Sequence, residues 1–267
     1  MGRALIGGLL KKGFDPKSIS TVETDPQTAA HLTHDFSIHV LSTLMNAQEQ
    51  LNAAHVVIVA VKPQDFKSIA FELAHLIKNC SGERPLILSI AAGIPTASMA
   101  HWLHYECCVR AMPNTPALIN QGMTGLFADS NISATDKSLA SSICEAVGKI
   151  VWVDSEKQMD DITAVSGSGP AYVFAFLESL EKAAIAQGLS QEQARLLAIQ
   201  TLQGAAKLAA QSSESPATLR ERVTSKGGTT YAALTVLEQE SWANIMMKAV
   251  AAASDRSEAM GEEFSKQ

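Results

Sequence analysis

The residues best suited to hold a small anion fall in one stretch, Thr224-Ser225-Lys226-Gly227-Gly228-Thr229-Thr230-Tyr231-Ala232-Ala233-Leu234. A short helical run over 216–223 ends in Gly227-Gly228, and a second helical run follows at once. Glycine reaches backbone angles that other residues avoid, so the pair allows a sharp turn. Thr229 and Thr230 then fall at the N-terminus of the new helix, where free backbone N–H groups favour an anion such as a carboxylate. Their two hydroxyls can donate or accept hydrogen bonds to a polar ligand atom. A plain helix corner with a threonine cap has the same spacing.

A second set of candidates closes apolar, strand-like runs. Ala60-Val61-Lys62-Pro63 ends one of them, and in an open α/β sheet ligands bind at the carboxyl ends of strands. Lys62 there can meet a phosphate, a ribose or a nicotinamide carbonyl; it also reads as a solvated lysine opening a helix. Ser89-Ile90-Ala91-Ala92-Gly93 ends the next run with small residues, Ala92 among them, that admit a flat ring. Ala111-Met112-Pro113-Asn114-Thr115-Pro116 ends the one after. Its two prolines stiffen the loop, and Asn114 carries both a donor and an acceptor, suited to a carboxamide or to an Asx-type turn. Glu23 closes an earlier strand, where an acid accepts from a ribose 2′-OH and favours NAD over NADP.

These candidates need a scaffold, and the chain supplies an alternating one. Helical runs over 2–10, 26–34, 47–52, 63–78, 96–104 and 135–147 alternate with strand-like runs over 19–22, 38–40, 56–61, 85–90, 107–112, 124–128 and 150–153. Short apolar strands alternating with helices predict a parallel doubly wound sheet. Such a sheet opens with strand, glycine-rich turn, then helix. Here the opening helix is present, and Met1-Gly2 reads as the tail of a G-x-G-x-x-G turn with Gly2 its last glycine. The expectation is a sheet without its first strand and without most of the pyrophosphate cradle. Restoring roughly 10–15 residues of strand and turn is then expected to restore dinucleotide affinity.

From about residue 155 no strand-like run appears. Ser155…Gln158 and Ser190…Gln193 fit capping boxes, and Ser215-Pro216 sets a cap and a first-turn proline. A long helix over 156–187 is expected to kink at Ser166-Gly167-Ser168-Gly169-Pro170 and to close at Gly188. The small residues of that kink read as a packing notch at least as readily as a site of chemistry. Residues 1–154 are therefore expected to form a dinucleotide-binding domain and 155–267 a helical one.

The bulk properties exclude other classes. At 46% hydrophobic and 18% charged, 267 residues make a globular chain with a substantial core. A net charge of −6 offers no basic surplus for a nucleic-acid backbone or an acidic membrane. No apolar run approaches the roughly 20 residues of a spanning helix, and residues 1–12 do not read as a signal peptide. The four cysteines form no C-x-x-C pair and suit reduced thiols in the cytoplasm. His31/His34 and His101/His104 have no carboxylate in a zincin-type arrangement, so no metal is expected.

With AVKP, SIAAG, AMPNTP, SGSGPAY and TSKGGTTYAAL in this order, the chain resembles the pyrroline-5-carboxylate reductase family along essentially its whole length. The resemblance implies reduction of 1-pyrroline-5-carboxylate to L-proline with NADPH or NADH. It implies a Rossmann-like α/β domain followed by an all-α dimerisation domain, a homodimer formed through the helices, and further assembly into larger rings. It also implies site roles. Ser225, Gly228, Thr229 and Thr230 would hold the substrate carboxylate, with Thr230 the catalytic residue near the imine nitrogen. Gly2, Glu23, Val61, Lys62, Pro63, Ala92, Met112, Pro113 and Asn114 would line the cofactor. Lys226 departs from the pattern, standing where the family usually has proline. The nearest rivals are a β-hydroxyacid or 6-phosphogluconate-type dehydrogenase, whose catalytic lysine setting is not matched by Lys157 or Lys182, and a non-catalytic dinucleotide-sensing protein.

Overall fold

The computed structural model describes residues 1–265; residues 266 and 267, at the end of the expected helical domain, lie outside the described residues. In chain order the elements are α1 (Gly2–Lys11), β1 (Ser20–Val22), α2 (Pro26–Phe36), β2 (His39–Leu41), α3 (Gln48–Ala53), β3 (Val56–Val59), α4 (Pro63–Lys78), β4 (Leu86–Ser89), α5 (Thr96–Leu103), β5 (Cys108–Met112), β6 (Gly122–Phe127), α6 (Ala134–Cys144) and β7 (Gly148–Trp152). Helices follow to the end: α7 (Glu156–Ile162), α8 (Gly169–Ala186), α9 (Gln191–Gln211), α10 (Pro216–Arg222), α11 (Thr229–Gln239) and α12 (Trp242–Ser265). The chain divides into two compact units: Met1–Ser168 together with the part of α12 from Ala252 on, and Gly169–Ala251.

The first unit is built on two sheets. β1 and β2 pair in parallel, and a five-stranded sheet runs β3-β4-β5-β6-β7. β1 and β3 each end their sheet, so among the described residues no strand stands between them, at the place a doubly wound fold gives to its first strand. Side-chain alternation explains why helices cover both faces of the larger sheet. Leu86 and Leu88 of β4, with Val109 and Ala111 of β5, enter a core with Leu5 and Leu9 of α1. Ile87 and Cys108 enter the opposite core, against Phe66, Leu73 and Ile77 of α4 and Trp102 of α5. Burial at positions 66, 70, 73 and 77 is the helical spacing of one apolar stripe.

One expectation of the sequence fails here. β6 runs antiparallel to β5, with Ala111 opposite Leu126, so the sheet is mixed rather than wholly parallel. The cause is the connection: residues 113–121 carry only a 3₁₀ turn, Thr115–Ile119, and a parallel crossover needs a dozen or more residues.

The capping signals behave as their chemistry dictates. Asp25, Ser133, Ser155, Ser190 and Ser215 each accept from a first-turn N–H of α2, α6, α7, α9 and α10. Ser190 and Gln193 complete a reciprocal box, whereas Gln158 reaches back to the N–H of Asp154 instead of Ser155. The expected kink is a π-helical turn, Thr163–Gly167, in which the Ser168 N–H donates to the carbonyl of Thr163 at 2.8 Å. Gly188, at φ 92°, follows the end of α8.

The second unit is wholly helical and keeps little to itself. α8, α10 and α11 bury no residue completely, and α9 buries only Ala194 and Ala198. Phe174, Leu196, Leu197, Val236, Ile245 and Met247 are exposed. Helices this apolar and this open have surface left for a partner. Among the described residues no helix is long and apolar enough to cross a membrane.

Candidate active site

The expected cofactor residues gather by topology. β3, β4 and β5 are parallel neighbours, so the residues that leave their carboxyl ends share one edge of the sheet. Val61, Lys62 and Pro63 follow β3; Lys62, exposed, is the residue before α4, whose first position is Pro63. Ala92 follows β4, half-buried. Met112 ends β5 and Asn114 follows it, both half-buried, on either side of a buried Pro113.

Gly2 opens α1, and a methyl added there would reach 3.4 Å from the Ala60 side chain at the end of β3. The first turn of α1 contains no acid, and its first N–H groups have no intrahelical acceptor. That end of the helix suits an anion such as a phosphate. Glu23 leaves β1 half-buried. One carboxylate oxygen accepts from the Asp25 N–H at 2.9 Å, which fixes the group and leaves the other oxygen open. Asp25 in turn caps α2, and Thr28, through its side chain and its N–H, holds the Asp25 carboxyl below the ordinary carboxylate range.

Two expectations change at this edge. The amide of Asn114, offered above to a carboxamide, is used within the fold. Its Nδ2 donates to the carbonyl of Ser166 at 3.0 Å and its Oδ1 accepts from the Met123 N–H at 2.9 Å. The small residues after β4 serve packing as well as access, for Gly93 lies against Met260 and Phe264 of α12.

An ion network behind the same edge escapes a reading of motifs. Arg110, 3% exposed in β5, donates to both Glu156 and Asp160 of α7. Glu156 also accepts from the N–H and hydroxyl of Thr96, at 2.7 and 2.8 Å, and Asp160 from the hydroxyl of Ser257 at 2.7 Å. The signal was an arginine inside an apolar strand, since a charge there must be paired, together with two acids four residues apart on one helix face. The adjoining cavity, about 300 Å³, is lined by Glu156, Asp160, Glu258 and Glu262 beside Arg110. That acidic wall does not suit a phosphate or a carboxylate.

The expected substrate residues all lie in the second unit, around the turn into α11. The Gly228 N–H donates to the Ser225 carbonyl at 3.0 Å, with Gly227 at φ 74°, the pattern of a type II turn. That bond corrects the role of Gly228, whose N–H closes the turn and is not free for a carboxylate. The first N–H donated back into the helix is that of Ala232, to the Gly228 carbonyl at 3.1 Å. The N–H groups of Thr229, Thr230 and Tyr231 are therefore left pointing out of the helix end. Thr224 returns its hydroxyl to the Arg220 carbonyl in α10, and Thr235 returns its own to the Tyr231 carbonyl within α11. The hydroxyls of Ser225, Thr229 and half-buried Thr230 have no partner among the described residues. Three N–H groups and three hydroxyls are thus uncommitted at or beside one helix end with no acid in its first turn.

Comparison with known proteins gives this arrangement a family. Residues 156–260 match the model for pyrroline-5-carboxylate reductase dimerisation, and residues 1–93 match that for NADP oxidoreductase, coenzyme F420-dependent. The chain is similar to the pyrroline-5-carboxylate reductase of Pseudomonas aeruginosa, 41% identical over 99% of this chain and 94% of the relative. It is also similar to a solved pyrroline-5-carboxylate reductase from Coxiella burnetii, with TM-score 0.89 and 39% identity over 97% of this chain and 94% of that one. The Plasmodium falciparum pyrroline carboxylate reductase, solved with NADP bound, gives TM-score 0.83 and 29% identity over 98% and 94% of the two chains. Likeness at this level, running from the α/β sheet through the turn at Gly227 to the last helix, means that the chain belongs to the pyrroline-5-carboxylate reductase family.

Proposed function

We propose that this chain reduces 1-pyrroline-5-carboxylate to L-proline with a hydride from NADPH or NADH, the last step of proline biosynthesis. The observation that carries the reading is the opening of α11, where unspent N–H groups and three unpartnered hydroxyls meet no opposing acid. A small ring bearing a carboxylate and an imine nitrogen matches that donor set.

In the mechanism, the N–H groups of Thr229 and Thr230, with the hydroxyl of Ser225, hold the substrate carboxylate. Thr230 orients the ring nitrogen through its hydroxyl. A threonine is a poor acid, so the proton comes from water or is already on the iminium. Lys226, exposed at the second position of the turn, adds a positive charge that favours an anion.

The residues of the sheet edge fit a dinucleotide: α1 opens on Gly2 with an unopposed positive end, and three parallel strands end side by side above it in sequence. Gly2, Glu23, Val61, Lys62, Pro63, Ala92, Met112 and Pro113 would hold the cofactor, which when bound supplies the hydride. We assign this role to residues 1–154 and substrate binding and dimerisation to 155–267. The exposed apolar helices of the second unit support a homodimer formed through them, and we extend this to a ring of dimers. Free cysteines and a dinucleotide-dependent reduction suit the cytoplasm.

The test is imine-dependent oxidation of NADH and NADPH, followed by loss of dinucleotide absorbance, on the chain and on Thr230→Ala. Loss of the hydroxyl is expected to lower turnover by about 10²-fold with dinucleotide affinity within about twofold of the parent. Near-normal turnover would remove Thr230 from the mechanism, and no imine-dependent oxidation by the parent would end the proposal.

A further inference from the structure

We propose that Asn114 is a positioning residue, which fastens the Met112–Pro113 turn to the π-helical turn at Thr163–Gly167 and does not touch the cofactor itself. The inference rests on the proposed function in taking the loop after β5 as part of the dinucleotide site.

Both ends of the Asn114 amide are committed. The Met123 N–H reaches Oδ1 at 2.9 Å from the start of β6, and Nδ2 reaches the Ser166 carbonyl at 3.0 Å. That carbonyl has a reason to seek a side chain. Its ordinary helical donor would be the N–H four residues on, and that residue is Pro170, which has none. The wide turn meets the loop a second time one residue later. A Cβ on Gly167 would come within 2.6 Å of the Met112 Cε, the free end of a flexible side chain, so the Met112 methyl lies against the π-helical turn. The two Asn114 hydrogen bonds therefore fasten the chain one residue past the buried Pro113, and the Met112 side chain packs against the same turn from the residue before it.

The side-chain chemistry is selective. Bridging an N–H on one side and a carbonyl on the other requires a donor and an acceptor on one short planar group, which asparagine has. Aspartate keeps the acceptor, loses the donor and sets a carboxylate against the Ser166 carbonyl. Serine is too short to span both.

Three chains separate positioning from direct contact: the parent, Asn114→Asp and Gly167→Ala. Each is titrated with NADH and NADPH by fluorescence to give Kd, and its KM and kcat are measured. Both are repeated with the 3-acetylpyridine analogue of the dinucleotide, which lacks the carboxamide NH₂. Positioning predicts that Asn114→Asp weakens dinucleotide binding by about tenfold, leaves the KM for the imine unchanged and holds kcat at saturation within about twofold. The ratio of natural to acetylpyridine Kd should equal that of the parent. Gly167→Ala, which displaces only the Met112 methyl and leaves both Asn114 bonds in place, should weaken dinucleotide binding less than Asn114→Asp does.

A changed Kd ratio in Asn114→Asp would overturn the inference in favour of direct contact with the carboxamide. Unchanged dinucleotide Kd in Asn114→Asp, or a loss in Gly167→Ala as large as in Asn114→Asp, would overturn it outright. A parent that binds dinucleotide without reducing the imine would end the proposed function and leave these binding outcomes decisive. A parent that binds neither dinucleotide overturns the inference as well.

Discussion

Removing Arg110 is the sharpest test of how the sheet edge is held. In Arg110→Met the aliphatic stem is kept and the guanidinium lost, leaving two carboxylates on α7 without their shared cation. Breaking a buried pair costs about 3–5 kcal/mol, because the surviving charge is uncompensated. Here the lower end applies. Glu156 retains the N–H and hydroxyl of Thr96, Asp160 retains the hydroxyl of Ser257, and the Glu156 side chain is 32% exposed. A loss of about 3 kcal/mol, at roughly 2–4 °C for each kcal/mol in a domain of this size, lowers Tm by about 6–12 °C. Urea unfolding with an unchanged m-value would report the same loss, and salt should alter it little, since the arginine is buried. The rescue separates charge from shape. Arg110→Met with Glu156→Gln and Asp160→Asn removes the orphaned charges and is expected to recover most of the stability. A single variant that loses less than about 1 kcal/mol, or a triple variant no more stable than the single, would refute the reasoning.

Three further outcomes follow from the same structure. Lys226→Pro places proline at the second position of a type II turn and should raise stability by about 0.4–1 kcal/mol; loss of the charge should raise the KM for the imine by up to about fivefold. A lower Tm would show that the turn needs lysine's backbone freedom, and an unchanged KM that the charge is idle. Glu23→Ser removes the carboxylate that would face a 2′-phosphate, a like-charge repulsion of about 1–4 kcal/mol at about 4 Å. NADPH affinity should therefore rise at least about fivefold relative to NADH, and an unmoved ratio would discard Glu23 as the selector. Burial holds the Cys108 and Cys144 thiols up at about 12, above their ordinary value of 9.0. Their contribution to stability is thus whole below about pH 9 and is lost as pH climbs toward about 12. Denaturation midpoints across that alkaline range should fall less steeply in Cys144→Ala; an equal slope would clear this thiol.

Much of this was legible because local chemistry and tertiary packing agree. Proline after a capping residue placed α10, and apolar spacing at 66, 70, 73 and 77 placed α4. The turn at Gly227 was legible because positive φ asks for glycine whatever surrounds it. Partnerships were not. Asn114 looked available because a sequence shows what a side chain can bond to but not what has already claimed it. Gly228 misled for the same reason: its N–H is spent three residues back. The antiparallel β6 depended on the length of the segment before it, a constraint that alternation of strands and helices hides. Arg110 was passed over within an apolar run although its isolation there demanded partners.

The path of α12 has a consequence for how the chain is made. Ser254, Ser257 and Met260 belong to the same compact unit as β5 and α7, yet they are separated from them in sequence by the whole of residues 169–251. The α/β unit is therefore discontinuous, closed by a segment that is made only after residues 169–251. At 5–20 residues per second, it waits on the order of 10 s between completing Asp160 and receiving the serine that bonds to it. During that interval Gly93 and the acids of α7 lack the α12 residues that lie against them in the finished unit. The helices that interrupt the α/β unit are thus complete before that unit can be.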